Sequence, residues 1–340
     1  MRYLARRLAQ SVLVVAGVVL LTFVVTHLVP GDPAVTYAGP HASAAQLAQT
    51  RAQLGLGKPL PTQLWRFADG LVHGDWGTSL HTRRSVLTDI STALPASLQL
   101  LGAAMLLAVV VGVPLGMLGA HLKHGGHGVG DTTVRVSSML AVSAPVFLLA
   151  LVLQNLFAAK LGWLPVAGEY ASSLNQTYPL HVITHSTLVD SVLTGDWPVF
   201  TSTLSHLVLP AVTMAAYPIG VVAQMTRAAL LEESGAPHAR LERAYGFSRW
   251  QVLTRFCVRP AAGPVLALLA LVFAFSLVNA FLAEEIFDWP GLGRYASDAI
   301  TSADAPAVAG VTIVVALTYV VANLLVDLAQ AAIDPRVRLS

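Results

Sequence analysis

The 340 residues contain one cysteine, Cys257, so neither an intrachain disulfide framework nor a thiolate-only metal cage is available. Charge is scarce as well: Asp, Glu, Lys and Arg make up 11% of the chain, against about 25% in soluble globular domains. Lysine occurs only at Lys58, Lys123 and Lys160, never followed by Ser or Thr. The Gly-x-x-x-x-Gly-Lys-Ser/Thr loop that surrounds nucleotide phosphates is therefore absent, and the chain cannot hydrolyse ATP by that route alone. Absent too are the Gly-x-Ser-x-Gly nucleophile turn and the His-Glu-x-x-His helix of metalloproteases, so no catalytic residue is expected. A net charge of +2 offers no footprint for a polyanion, which argues against nucleic acid as a partner.

Apolar residues are what the chain has in abundance, at 55% and a mean hydropathy of +0.66. Twenty basic and 18 acidic side chains cannot cover the surface of a soluble protein of this size. The composition predicts an all-α polytopic membrane protein. Six uncharged stretches of at least 22 residues each are long enough to cross a core of ~30 Å. No alternation of the kind a barrel requires is seen, and continuous helices satisfy their own backbone in lipid. The expected helices are about 8–30, 97–121, 136–159, 203–226, 260–283 and 305–327, in a single transmembrane domain over 1–340. The first apolar run exceeds the ~7–15 residues of a signal-peptide core, so a retained helix is expected there.

Basic residues set the orientation. With the N-terminus inside, 13 of the 20 Lys and Arg fall on the cytoplasmic side, and both termini are expected there. The extracytoplasmic excursions are then about 31–96, 160–202 and 284–304. Residues 227–259 form a charged, helix-compatible cytoplasmic loop too long for a simple turn, as expected of a segment that docks a partner. Pro95, Pro114, Pro145, Pro210, Pro218 and Pro264 are expected to bend helices. Gly112 and Gly116 give a small-residue packing face. His121, His124 and His127 read as a solvated loop. His181 and His185 have i, i+4 spacing without the glutamate, so no metal site is assigned.

Several motifs carry a resemblance that runs nearly the whole chain: Leu28-Val-Pro-Gly-Asp-Pro33, Leu54-Gly-Leu-Gly-Lys-Pro-Leu-Pro61, Gly74-Asp-Trp-Gly77, Leu94-Pro-Ala-Ser-Leu98, Leu161-Gly-Trp-Leu-Pro165, Glu284-Glu-Ile-Phe-Asp-Trp-Pro-Gly-Leu-Gly293, Asn323-Leu-Leu-Val-Asp327 and Asp334-Pro-Arg-Val-Arg338. In this order they resemble the dipeptide/oligopeptide/nickel permease family, the membrane subunits of bacterial ABC importers, and within it the dipeptide permease B-like type. The resemblance implies a type I ABC importer permease fold. It also implies a multi-pass protein of the bacterial inner membrane that pairs with a homologous second permease, two ABC ATPase subunits and an extracytoplasmic solute-binding protein. No cofactor is expected on this chain, with ATP and Mg on the ATPases. Such permeases dock their ATPase through a cytoplasmic loop, which Arg240, Leu241, Glu242, Arg243, Ala244, Tyr245, Gly246, Phe247 and Ser248 resemble. Glu242 stands where the family favours a small residue, and Pro237 reads as a helix interruption. Arginines flanking the loop are expected to meet acidic partner residues. Pro30, Gly31, Asp32, Pro33, Glu284, Trp289, Pro290, Gly291 and Gly293 are expected to shape the outer mouth. The expected cargo is a peptide. A nickel or metal-chelate permease is the alternative within the family, and a stand-alone secondary transporter or channel is the alternative from another class.

Overall fold

A computed structural model describes residues 2–28, 34, 42–124 and 128–333. The Pro30–Pro33 corner and the Asp334–Arg338 motif lie outside the described residues. Helix dominates, and the pairing seen among the described residues is one isolated bridge, Thr78 to Ser85. In chain order the main helices are α1 (Arg2–Leu28), α2 (Ala44–Leu54), α3 (Leu60–Val72), α4 (Val86–Leu107), α5 (Val113–His124), α6 (Gly128–Ser143), α7 (Val146–Leu153), α8 (Thr187–Thr194), α9 (Trp197–Ser234), α10 (Pro237–Ala244), α11 (Val258–Ile286), α12 (Leu292–Thr301) and α13 (Ala305–Ile333). A π-helical turn, Ala108–Gly112, joins α4 to α5 without a break.

Five of these runs are long and apolar enough to cross a membrane: α1, α4 with α5, α9, α11 with the helical turns before it, and α13. The expected third helix, 136–159, is not continuous. It is two arms, Val129–Ser143 and Val146–Lys160, bent by 102° where they meet. Proline explains the break. Pro145 lacks an N–H, and its ring disfavours helical dihedrals at Ala144, so α6 stops and α7 restarts with Pro145 as its N-cap. Pro95, Pro210, Pro218 and Pro264 each lie inside a continuous helix.

The chain divides into two compact units, one of residues 1–94 and 295–320, the other of 95–294 and 321–340. In the second unit the 38-residue α9 is the axis, packed by α5, α6, α7 and α11. Close approach of α5 depends on its small residues. A Cβ on Gly116 would lie 2.6 Å from the Ala223 carbonyl oxygen on α9, a distance no side chain tolerates. Arg227 of α9 crosses to α6, where Nε and Nη2 donate to the two carboxylate oxygens of Asp131 at 2.7 and 2.8 Å. Leu100, Leu101, Met214, Ala215 and Trp289 form the largest apolar cluster of this unit.

In the first unit α1 packs on α3, with Phe23 and Phe67 ring centroids 6.0 Å apart. A capping box between Ser43 and Gln46 opens α2, and Gly55 in the left-handed region closes it. Buried Asp304 is the N-cap of α13: its Oδ1 accepts from the Ala307 amide at 3.2 Å. Its Oδ2 gathers Ser79 Oγ at 2.6 Å and the amides of Leu80 and His81 at 2.7 and 3.1 Å. One carboxylate thereby starts a helix and ties down a loop more than 200 residues away in sequence.

Candidate functional site

Two of the expected regions are well defined. The first is the loop after α9. The helix ends at Ser234, two residues later Ala236 takes extended dihedrals as N-cap, and Pro237 occupies the first position of α10. Pro237 therefore does not interrupt a helix. It begins one, at the position where its missing N–H would be unpaired anyway. α10 closes at Gly246, whose φ of +93° only glycine adopts without strain. Ser248 then caps the next turn in a capping box with Gln251, and the chain continues through Val252–Cys257 into α11. The result is a helix, a corner and a second helix.

The underside of this corner is anchored. Ala239, Val252, Leu253 and Cys257 are buried against Ala120 and Leu230, with Phe247 packed at the edge. Phe247 and Phe256 stack edge to face at 5.2 Å, as do Trp250 and His121 of α5. Two of the corner's arginines serve the chain's own carbonyls: half-buried Arg243 donates to those of Ser234 at 2.7 Å and Ala239 at 3.2 Å, and exposed Arg240 to that of Gly235 at 3.0 Å. Arg243 and Arg240 thereby hold the orphan carbonyls of Ser234 and Gly235 at the end of α9, while Arg240 and Arg249 stay exposed. The corner presents apolar surface beside the exposed Arg240 and Arg249: Leu241 is 53% exposed and Tyr245 72%, with Ala244 between them. Glu242 is half-buried, and its carbonyl accepts from the Phe247 amide at 3.3 Å.

The second region is the Glu284–Gly293 motif. Glu284 and Trp289 are fully buried. Ser97 Oγ donates to Glu284 Oε1 at 2.5 Å and accepts from the Leu292 amide at 2.7 Å, while the Gly293 amide donates to Oε2 at 2.6 Å. The Trp289 indole donates to the Ala96 carbonyl at 2.9 Å. Both glycines are dictated by closeness. A Cβ on Gly291 would lie 2.3 Å from the Glu284 carboxyl carbon, and one on Gly293 2.5 Å from Phe281 Cα. Pro290 is exposed and Asp288 pairs with Arg294. The motif is thus an internal knot pinning the turn after α11 to α4, with little of its signature on the surface. Sequence reasoning did not single out Ser97, although it sits in the quoted Leu94–Leu98 motif. Asp131 and Arg227 were missed as a pair because 96 residues separate them.

In the segment 160–202, two acidic groups, Glu169 and Asp190, differ in character. Asp190 is buried, which opposes its ionisation. The Thr184 hydroxyl and the amides of Thr184, Ile183 and His185 outweigh that burial and lower its pKa. Burial raises the pKa of Glu169 despite hydrogen bonds from Thr187, and nearby Asp190 adds to the rise. His181 and His185 are exposed, and among the described residues no three His, Cys, Asp or Glu side chains form a metal-holding group.

Known proteins resemble this chain along its length. The family described as "Binding-protein-dependent transport system inner membrane component" matches residues 112–339, and its N-terminal counterpart matches residues 1–101. A probable D,D-dipeptide transport system permease protein of Escherichia coli is 40% identical over 98% of this chain and 96% of its own length. The dipeptide transport system permease protein of Alkalihalophilus pseudofirmus is 34% identical over 99% of each chain. The di/tripeptide transport system permease protein of Pseudomonas aeruginosa is 36% identical over 99% of this chain and 98% of its own.

Proposed function

This chain belongs to the binding-protein-dependent transport system inner membrane components, and from that premise we propose that it forms half of the membrane pathway of an ATP-driven peptide importer. The other half is a homologous second permease. Two ABC ATPase subunits bind ATP and Mg and do the hydrolysis, and an extracytoplasmic solute-binding protein delivers the cargo. This chain carries out no covalent step. Both termini and the 227–259 loop lie on the cytoplasmic side, in keeping with the bias of Lys and Arg. Relatives named for dipeptides, D,D-dipeptides and di/tripeptides favour a peptide over a metal chelate as cargo.

The observation that carries this reading is the rigid corner around Gly246. Its inner face is fused to the end of α9 and to α5, while Leu241, Ala244 and Tyr245 stand outward with nothing from this chain over them. A side chain group that is apolar, exposed and firmly backed suits a groove on another protein. Force applied there reaches α9, the axis of the larger unit, directly through Ser234 and Arg243. ATP-dependent closure of the ATPases would then favour one of two arrangements of the helices, opening the pathway to each side in turn.

Two measurements test it. Liposomes holding the full set of subunits take up peptide when ATP is inside, and liposomes holding this chain alone do not. Uptake by this chain alone overturns the proposal. Gly246→Asp loses association with the ATPase subunits in a pull-down while the second permease is still recovered, and unchanged ATPase recovery removes the docking assignment.

A further inference from the structure

The first unit carries a cavity that the pathway proposed above does not use. α1, α3 and α13 enclose a groove of about 800 Å³ walled by Val12, Val19, Leu64, Trp65, Ile313 and Leu317. Sharing Leu71, Trp76 and Ile313 with it is a second recess of about 440 Å³, which is lined by Arg66 and Asp75 as well as Gln63. A larger apolar compartment thus adjoins a smaller one bearing one cation and one anion.

The two charges are available. The Gln63 amide is engaged by the carbonyls of Leu56 and Lys58. Arg66 and Asp75 are both exposed, and among the described residues no carboxylate is paired with Arg66. The guanidinium lies over Gly55, where an added Cβ would sit 2.6 Å from Nη1. The Asp75 carboxylate accepts the Gly77 amide at 3.2 Å and keeps further lone pairs.

Dimensions also fit one kind of occupant. At ~1.5 Å per residue the wall of α1 from Val12 to Phe23 is about 16 Å long, close to half of a hydrocarbon core of ~30 Å, which is one leaflet. Trp65, 73% exposed, lies on the groove wall beside Arg66, a residue type that favours the membrane–water boundary. A transmembrane helix of a partner would bring apolar side chains to both compartments. Charge confined to one end and apolar surface along the rest is the polarity order of a lipid entering from a leaflet.

We propose that this double groove holds one phospholipid with an ammonium-bearing headgroup, its acyl chain along α1 and Trp65, its phosphate on Arg66 and its amine on Asp75. A lipid with phosphate alone leaves Asp75 facing like charge, so the pair selects the zwitterion.

The test is native mass spectrometry of the assembled transporter drawn from bilayers of equal phosphatidylethanolamine and phosphatidylglycerol. The wild type is expected to retain phosphatidylethanolamine through delipidating washes. Ala68→Trp, on the apolar wall, empties the groove, and Arg66→Gln lowers retention about tenfold, as loss of a charge-assisted contact does. Asp75→Asn abolishes the preference for phosphatidylethanolamine over phosphatidylglycerol. Should Ala68→Trp fail to assemble, the two surface variants carry the same reading. The proposal is overturned by a wild type that retains neither lipid, by equal retention of both, by Arg66→Gln and Asp75→Asn behaving as wild type, or by Trp65→Cys cross-linking to another subunit across the groove.

Discussion

Asp131→Asn removes one member of the fork that joins α6 to α9. Both side chains are largely shielded, Arg227 at 16% and Asp131 at 11% exposure, and two short hydrogen bonds close the ring. Breaking such a pair leaves a shielded guanidinium without its counter-charge, which destabilises by roughly 3–5 kcal/mol. Residual water access sets the expectation at the low end, about 3 kcal/mol. For a unit of 150–250 residues that is a fall of about 6–12 °C in unfolding midpoint. Replacing both partners, Asp131→Leu with Arg227→Met, removes the stranded charge along with the attraction. The double variant should therefore lie closer to wild type than either single change, with a coupling of about 2 kcal/mol or more. Scanning fluorimetry of the four proteins, purified in one detergent at one heating rate, completes the cycle. A shift under 2 °C for Asp131→Asn, or a double variant as unstable as the sum of the singles, would show that the fork does not hold α6 to α9.

Ser97→Ala takes a donor from Glu284 and an acceptor from the Leu292 amide in one step, so a loss of about 3 kcal/mol is expected in the same assay. Gly291→Ala forces a methyl into the Glu284 carboxyl, and trypsin should then cut after Arg294 faster than in the wild type; an unchanged rate refutes the knot. Glu169 and Asp190 of the 160–202 segment give opposite pH signatures. Glu169 has a raised folded pKa, so its contribution is present below the ordinary glutamate range and fades as pH rises through the folded value. Glu169→Gln should flatten that decline and raise the melting temperature at neutral pH. Asp190 has a lowered folded pKa, so its contribution stands above the ordinary aspartate range and fades only as pH falls through the folded value. Asp190→Asn should destabilise at neutral pH and lose its effect in strong acid, and melting curves across pH 3–8 distinguish the two residues.

Much of the helical plan was legible because its causes are local. An uncharged run of more than 20 residues has few alternatives in lipid, and the apolar runs in α1, α4, α9, α11 and α13 needed nothing further to be found. The break at Pro145 was harder. Six prolines looked alike in the sequence, and only the one preceded by Ser143-Ala144 coincides with a sharp bend. Pro95, Pro210, Pro218 and Pro264 sit inside continuous helices, which membrane helices tolerate. The loop around Gly246 was found through its motif, but the hydrogen bonds of Arg240 and Arg243 to the end of α9 were not. An arginine near a helix end can serve the carbonyls of its own chain or a partner's carboxylate, and sequence spacing does not choose between them.

By itself, then, the sequence determined which runs are long and apolar enough to span a membrane and which broad all-helical architecture results, since each depends on a residue and its near neighbours. Only the tertiary structure decided that Ser97 meets Glu284, that Asp131 meets Arg227, and that Asp304 both caps α13 and ties the Ser79 loop. Such pairings join residues 96 to 225 positions apart. Their partners are chosen by which helix faces come together, and that is fixed by packing of small residues such as Gly116 on α9 and not by any local rule.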